Sequence, residues 1–365
     1  MNILQIISGR GVNGALVYCK TLAEQLSLKG HDVTVLCRPN SWMATHTGCG
    51  VKIIQSSMSR FPLDEFRRVG DLIQDHGIEL LHSHMTRGQN FGIGLKWMTG
   101  LPLVATAHNR HFELHWNFND YVIANSQATY DFHRRVNWIP ACRMEKVYCC
   151  SDHQRLVQPS QVAIDSVRRK LSLKPNDFLI ALVGEISIRK GQLDLVRALP
   201  QIIEKVPTAK VVFVGRFGRR QKYVRKIRQL IIDLNLVGRT KWVGRQANVA
   251  DYLAASQLAV MPSHEEPLGL VAIESLMLGT PVVATRTGGL KEIIRHEENG
   301  ILIGTANPDQ LAQAVVQMAR NPDWSRRLAL QGQSEVIEKF APKKLIDQVE
   351  EIYFRLVAQN TRVAA

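Results

Sequence analysis

Apolar residues recur along the chain with two alternating periods. Short hydrophobic runs at 1–7, 31–36, 80–82, 103–106 and 121–124 read as buried strands. Between them lie stretches with helical spacing, of which 15–29 is the clearest. Leu16, Cys19, Leu22, Ala23 and Leu26 share one face there, and Gly30 follows as a left-handed stop. The alternation restarts at 178–183. Further strands are predicted at 210–214, 241–243, 258–261, 281–284 and 301–303, with helices between them, the first at 191–205. Strands alternating with helices imply parallel sheets covered on both faces. The stretch 151–177 is polar and carries Pro159 and Pro175, so the boundary falls there. The predicted domains are 1–155 and 172–341. An amphipathic helix at 343–360, preceded by Pro342, is expected to pack back on the first. Two such αβα domains would face each other with the C-terminal ends of their strands along a cleft, where open α/β sheets bind ligands.

The segment after the predicted strand 258–261 carries the most chemistry. Pro267 suits the first turn of a helix, Gly269 lets a ligand approach the backbone, and the helix is expected to run to Leu278 and stop at Gly279. The unpaired amides at such a helix start suit an anionic phosphate. Glu266 and Glu274 are eight positions apart, which at helical spacing brings the second round to roughly the same face, with one carboxylate at the loop mouth and the other in the helix. Carboxylates accept paired hydrogen bonds from vicinal hydroxyls. Gly184-Glu185-Ile186-Ser187-Ile188-Arg189-Lys190-Gly191 follows another strand and opens another helix, and it carries two adjacent cations.

The run Ser263…Glu266-Pro267-x-Gly269…Glu274-x-x-x-x-Gly279-x-Pro281-Val282-Val283-Ala284-Thr285…Gly288-Gly289…Glu292 resembles the signature of glycosyltransferase family 4. That family is retaining and has the GT-B fold, so the resemblance implies two Rossmann-like domains facing across a cleft. It implies that Glu266 contacts donor-sugar hydroxyls, that Glu274 grips the ribose, and that the backbone at Leu268, Gly269 and Leu270 approaches sugar and phosphates. Lys190 matches the family lysine on the diphosphate. The family arginine position holds Glu185 instead, and Arg189 is the candidate to supply the missing charge. Trp242-Val243-Gly244-Arg245 matches the place where relatives hold the nucleotide base. His108, in Val104-Ala105-Thr106-Ala107-His108, matches the histidine facing the donor sugar; His82 and His84 match a strand-end pair, one of them structural. The usual Asn-Gly before the linker is replaced by Val147-Tyr148-Cys149-Cys150-Ser151-Asp152.

Gly9, Gly11 and Gly14 read G-x-G-x-x-G, which also raises a nicotinamide oxidoreductase. Such an enzyme needs an acidic residue ending the second strand, and Val35-Leu36-Cys37-Arg38-Pro39 has none. The resemblance puts Gly14 near the donor phosphates. His108, His111 and His115 could suggest a metal, but no D-x-D motif accompanies them, so no metal and no cofactor are expected.

Charge changes the picture of partners. The chain of 365 residues has a formal net charge of +14. This favours anionic partners without choosing among them. Arg219, Arg220, Lys222, Arg225, Lys226 and Arg228 form a basic run, read first as a solvated helix face; few aromatics accompany it, which argues against nucleic acid. Arg60, Arg67, Arg68 and Lys96 with Phe61, Phe66 and Trp97 would allow peripheral contact with an anionic inner membrane. No run approaches the roughly 18–20 apolar residues of a membrane span, and no signal peptide is evident, so a cytoplasmic location is expected. The six cysteines are scattered, as free thiols in a reducing compartment would be. The expected activity is transfer of a sugar, with retention and without metal, from a nucleoside diphosphate, by family frequency a UDP-sugar, to a hydroxyl of a cell-envelope glycan or glycolipid such as lipopolysaccharide. A GT-B epimerase of sugar nucleotides and a non-catalytic GT-B subunit are the alternatives.

Overall fold

A computed structural model describes residues 1–48, 50–59, 63–149, 158–218 and 220–364, with side chains to 360. The chain divides into two compact units, Met1–Asp152 with Phe340–Ala365, and His153–Lys339.

The first unit is built on seven strands: β1 (Asn2–Ile7), β2 (Asp32–Cys37), β3 (Val51–Gln55), β4 (Leu80–His84), β5 (Leu103–Ala107), β6 (Tyr121–Ala124) and β7 (Met144–Lys146). Their order is β3-β2-β1-β4-β5-β6-β7, and every pair is parallel. Strand β1 is buried from Ile3 to Ile7, as a central parallel strand requires. β3 and β7 were not evident in the hydrophobic pattern. β3 is a half-buried outer strand and β7 has three residues, so neither shows a continuous apolar run. The helix Pro342–Ala364 returns to this unit. Lys29 Nζ meets Asp347 Oδ1 at 2.7 Å, His31 Nε2 meets Glu350 Oε1 at 2.7 Å, and the fully buried Tyr353 hydroxyl pairs with His82 Nδ1.

The second unit has six strands: β8 (Phe178–Val183), β9 (Ala209–Val214), β10 (Thr240–Gly244), β11 (Leu258–Met261), β12 (Val282–Thr285) and β13 (Ile301–Ile303). Their order is β10-β9-β8-β11-β12-β13, again all parallel. Its core joins Ile180, Leu182, Phe213 and Val260 of the sheet to Leu195, Leu199 and Ile202 of the helix Gln192–Lys205. The second unit begins before residue 172, because the polar boundary stretch contains the helix Gln161–Lys170. Ser160 caps it, Val167 is buried, and Arg168 donates to the carbonyls of Ala255 and Asp177. Too polar to read as core, this helix is attached by its charged end.

No described helix is long and apolar enough to cross a membrane. Among the described residues Cys19, Cys37 and Cys142 are free thiols; Cys49 and Cys150 lie outside them.

Candidate active site

In the second sheet the chain reverses direction of growth between β8 and β11, and the C-terminal ends of strands at such a point are where open α/β sheets bind ligands. Residues 184–191 leave β8 and residues 262–269 leave β11. Glycines let the two loops touch. Gly191 has φ +67°, and a Cβ there would fall 1.8 Å from the carbonyl oxygen of Pro262. The amide of His264 donates to the Arg189 carbonyl at 2.8 Å. The loop after β12 closes the third side: Gly288 has φ +50°, a Cβ there would fall 1.8 Å from the Glu266 carbonyl oxygen, and the Gly289 amide donates to that same oxygen at 3.0 Å.

Inside this frame Glu266 is 8% exposed. Its Oε2 receives Lys190 Nζ at 2.5 Å and Ser263 Oγ at 3.4 Å, and its Oε1 faces Arg189 Nη1 at 3.5 Å. Burial, the largest single influence, pushes the Glu266 carboxyl up. The charges of Lys190 and Arg189, with the hydrogen bonds from Lys190 and Ser263, outweigh it and hold the group below the usual glutamate range. Arg189 also donates to the Glu265 carbonyl at 3.0 Å. The structure thus brings Arg189, Lys190 and Glu266 into one cluster, with Glu266 buried, Lys190 half-buried and Arg189 exposed at its edge. Gly184 has no room for a side chain without crowding Lys190, since a Cβ there would sit 3.1 Å from Lys190 Cε.

Around the cluster the sequence reading needs one correction. The helix begins at Leu270, not at Pro267; Gly269, at φ +106°, is its left-handed cap residue. Glu266 is in the loop, and Glu274 is half-buried on the helix Leu270–Met277. Leu268 is buried, and its backbone lies where a Cβ on Gly289 would meet it, at 2.5 Å. Gly269 approaches Glu266, with a Cβ position 3.5 Å from Glu266 Cγ. No side chain caps the helix start, so its first amides point out of Leu270's turn without an intrahelical partner. Arg245 is exposed just after β10. Glu185 is paired: Arg216, one strand over at the end of β9, donates to its Oε2 from Nε at 3.1 Å and from Nη2 at 2.7 Å.

The residues that the sequence did not single out are Asp194 and the imidazole of His264. Asp194 is 4% exposed in the first turn of the helix after Lys190, and its Oδ2 meets His264 Nε2 at 2.5 Å. This contact ties the Glu266 loop to the Lys190 helix. Only their closeness to the motif in sequence could have pointed to them.

In the first unit Gly14 opens the helix Gly14–Leu28. Asn13 caps that helix and takes the amides of Ala15 and Leu16 at 3.0 and 3.1 Å, so two of the donors that a phosphate would use there are already engaged. His108 follows β5. Its Nε2 lies 3.2 Å from His84 Nδ1, and burial lowers its imidazole to about 3. His82 is buried between Tyr353 and Thr106, at 2.7 Å from the Thr106 hydroxyl, the structural member of the pair. Among the described residues no group of three or more His, Cys, Asp or Glu is placed to hold a metal ion. His115 bonds to Gln89 at 2.9 Å. Ser126 caps the helix Gln127–Val136.

Of the basic surfaces, Lys222, Arg225, Lys226 and Arg228 are exposed on the helix Gln221–Asp233, whose other face buries Tyr223, Val224, Ile227 and Ile231. Phe66 is not a surface aromatic, for it stacks on Phe91 at 4.5 Å; Trp97 is 69% exposed, and Lys96 pairs with Asp120 at 2.6 Å. Arg60, Phe61, Cys150, Ser151, Asp152 and Arg219 lie outside the described residues.

Comparison with known proteins bears on both units. Residues 12–155 match the family model described as Glycosyltransferase Family 4, and residues 163–335 match that described as Glycosyl transferases group 1. The chain is 24% identical to N-acetyl-alpha-D-glucosaminyl L-malate synthase of Bacillus anthracis over 96% of each chain. It is 30% identical to the lipopolysaccharide core biosynthesis glycosyltransferase LpsE of Rhizobium meliloti over 54% of each. Its fold matches the crystal structure of Anabaena HepE in complex with UDP and glucose, with a TM-score of 0.85 and 24% identity over 96% of this chain and 99% of that one. With both Rossmann-like units matched in their own order, the chain belongs to the family 4 (group 1) glycosyltransferases and is an enzyme of the GT-B fold.

Proposed function

We propose that the protein is a retaining glycosyltransferase that moves a sugar from a UDP-sugar to a hydroxyl of a cell-envelope glycan or glycolipid, without a metal ion. The observation that carries this reading is the buried Lys190–Glu266 contact with Arg189 beside it, at the point where the second sheet reverses its direction of growth. Transfer from a nucleoside diphosphate develops negative charge on the departing phosphates, and fixed cations in a partly dry site stabilise it strongly. Lys190 has three donors, of which one goes to Glu266 in this structure. The others, the Arg189 guanidinium and the amides at Leu268, Gly269 and Leu270 are in place to hold the diphosphate. Glu266, ionised and fixed, accepts from sugar hydroxyls; Glu274 accepts from the ribose; Arg245 lies beside the base. With its pKa far below neutrality, His108 acts as a neutral imidazole rather than a general base. The leaving phosphate then serves as base for the acceptor, attacking on the same face, and no protein nucleophile is required.

The choice of UDP is supported by the UDP and glucose of the HepE structure, and that of an envelope acceptor by the name of LpsE. Such an acceptor would bring the enzyme to the cytoplasmic face of the inner membrane as a peripheral protein, which suits the chain's positive charge. The test is direct. UDP should raise the melting temperature more than GDP or ADP, and a UDP-sugar should be consumed only when acceptor is supplied. Conversion of the donor without acceptor into an epimer, or indifference to all three nucleotides, would defeat the proposal.

A further inference from the structure

The first sheet has its own point of reversal, between β1 and β4, and hence its own candidate crevice at the C-terminal ends of its strands. Three arginines stand there, each on a different segment. Arg10 is in the turn after β1, Arg38 directly follows β2, and Arg87 is in the first turn of the helix Thr86–Thr99, which follows β4. Ile7, the last residue of β1, is in register with Cys37 on one side and His84 on the other. Trp42 donates its amide to the Arg10 carbonyl at 2.9 Å, and Ser41 Oγ donates to the Gly9 carbonyl at 2.8 Å. A Cβ on Gly88, the neighbour of Arg87, would come 3.0 Å from the Ile6 carbonyl oxygen and 3.4 Å from the Ser8 nitrogen.

The three segments are therefore packed against one another, and their charges are felt mutually. The Arg38 guanidinium is lowered first by burial and then by the positive charges of Arg10 and Arg87. Its Nε is buried without a hydrogen-bond partner. Among the described residues none of the three arginines has a carboxylate within ion-pairing distance, whereas Arg68, Arg216, Arg295 and Arg355 all lie against glutamates. The start of the helix Thr86–Thr99 adds to the field. No side chain caps it, and Met85 before it is held at φ +65°, a conformation costly for a residue with a side chain. The carboxylate that meets this helix start, Glu113, is taken by the Thr86 hydroxyl at 3.1 Å and, among the described residues, pairs with none of the three arginines, so an anion entering there would offset their mutual repulsion. A carboxylate is satisfied by one guanidinium fork; three forks from three directions match the several oxygens of a phosphate.

We propose that Arg10, Arg38 and Arg87 form a binding site for a phosphate group carried by the acceptor. This rests on the transferase reading, since it names a chemical class for the molecule that receives the sugar. The full-length protein, with UDP at saturation so that the second unit's diphosphate site is filled, is titrated with inorganic phosphate and followed by calorimetry. Saturable binding is expected, weakened roughly tenfold to a hundredfold in Arg38→Gln and in Arg87→Gln, the range for loss of a hydrogen bond to a charged group. UDP affinity and melting temperature should stay unchanged in both variants, which shows that they fold. Sedimentation with phosphatidylglycerol vesicles, against phosphatidylcholine, separates the sources. Loss of vesicle binding in the variants assigns the phosphate to a lipid headgroup; phosphate binding without vesicle binding assigns it to a soluble phosphorylated acceptor. Phosphate and vesicle binding both indifferent to the two substitutions would overturn the site. Should UDP not bind, the donor reading fails, and the same phosphate titration without UDP still decides this one.

Discussion

Replacement of Lys190 by methionine tests the centre of the site, because it removes one charge of a buried pair and keeps the packing. Glu266 is 8% exposed, so its carboxylate cannot recover the lost partner from water. Breaking a fully buried ion pair costs about 3–5 kcal/mol. Here Arg189 at 3.5 Å and Ser263 at 3.4 Å remain, so the cost is closer to one charge-assisted hydrogen bond, about 2–3 kcal/mol. For a unit of this size that lowers the melting temperature by roughly 4–12 °C. The sign with pH follows from Glu266. Its folded carboxyl is held below the unfolded value, so the pair contributes stability above the carboxylate range and loses it as pH falls through the folded value. In the variant burial is opposed by less positive charge, the folded carboxyl rises, and neutral Glu266 is tolerated at low pH. The melting deficit of Lys190→Met should therefore be full at pH 7.5 and shrink below about pH 4.5. The double variant Lys190→Met with Glu266→Gln should recover most of the loss, since no charge is left buried alone. Transfer should fall about a hundredfold or more in both, because the cation proposed to face the diphosphate is gone. Calorimetric scans at the two pH values, beside initial rates, decide the matter. An equal deficit at pH 4 and pH 7.5, or a double variant as unstable as the single, would refute the reasoning.

Other outcomes follow from the same geometry. Glu274→Ala should weaken UDP binding by roughly tenfold or more while leaving the melting temperature within about 2 °C, since the residue is half-buried; isothermal titration reads the first and a scan the second. Gly191→Ala places a Cβ where only 1.8 Å separates it from the Pro262 carbonyl oxygen, on a backbone at φ +67°; a loss of about 2 kcal/mol or more in urea unfolding, with transfer strongly reduced, is expected. Burial lowers His82 and His108 to about 3 and His133 to about 4. The unfolded chain binds these protons near pH 6.5 and the folded chain does not, so the first unit should lose stability as pH falls from 6.5, by up to about 1.4 kcal/mol per pH unit for each imidazole. Urea midpoints that do not move between pH 7 and pH 5 would contradict the buried, neutral histidines.

The sheets were legible because parallel strands are buried on both faces and read as unbroken apolar runs; β1, β2, β8 and β11 are of this kind. The edges were not. β3 shows only partial burial, β7 is three residues long, and the helix Gln161–Lys170 exposes most of its surface, so none carries a strong periodic signal. At the site, the motif from Ser263 to Glu292 pointed to the loop, and the fold supplied what spacing could not: Lys190 is bonded to Glu266 across 76 positions of sequence. The same distance in sequence hid Asp194 and His264, whose contact spans 70 positions. Pro267 was read into the first turn of the helix, but it stands before it, because Gly269 in the left-handed region makes the turn begin after it.

Glu185 makes the charge balance of this site different from that implied by the family resemblance. An arginine there would add a cation beside Lys190. Instead Glu185 carries a negative charge and is closed by Arg216, with two hydrogen bonds to one oxygen, so the two side chains cancel each other. Glu266 takes one donor of Lys190. In the cluster around Lys190, two cations, Arg189 and Lys190, then face one carboxylate, Glu266. Arg189 is 43% exposed at its side chain, anchored by the Glu265 carbonyl and free to turn its remaining donors outward. In the proposed reaction it therefore does from position 189 what an arginine would do from position 185. That argument orders the variants. Arg189→Ala should cost more transfer than Arg216→Ala, because the first removes the uncancelled charge. Loss of Arg216 leaves Glu185 as an extra negative charge at a surface where water screens it. Rates measured side by side at low and at 0.5 M salt would show it, and a larger loss for Arg216→Ala at both would mean that the diphosphate is held from β9 rather than from the loop after β8.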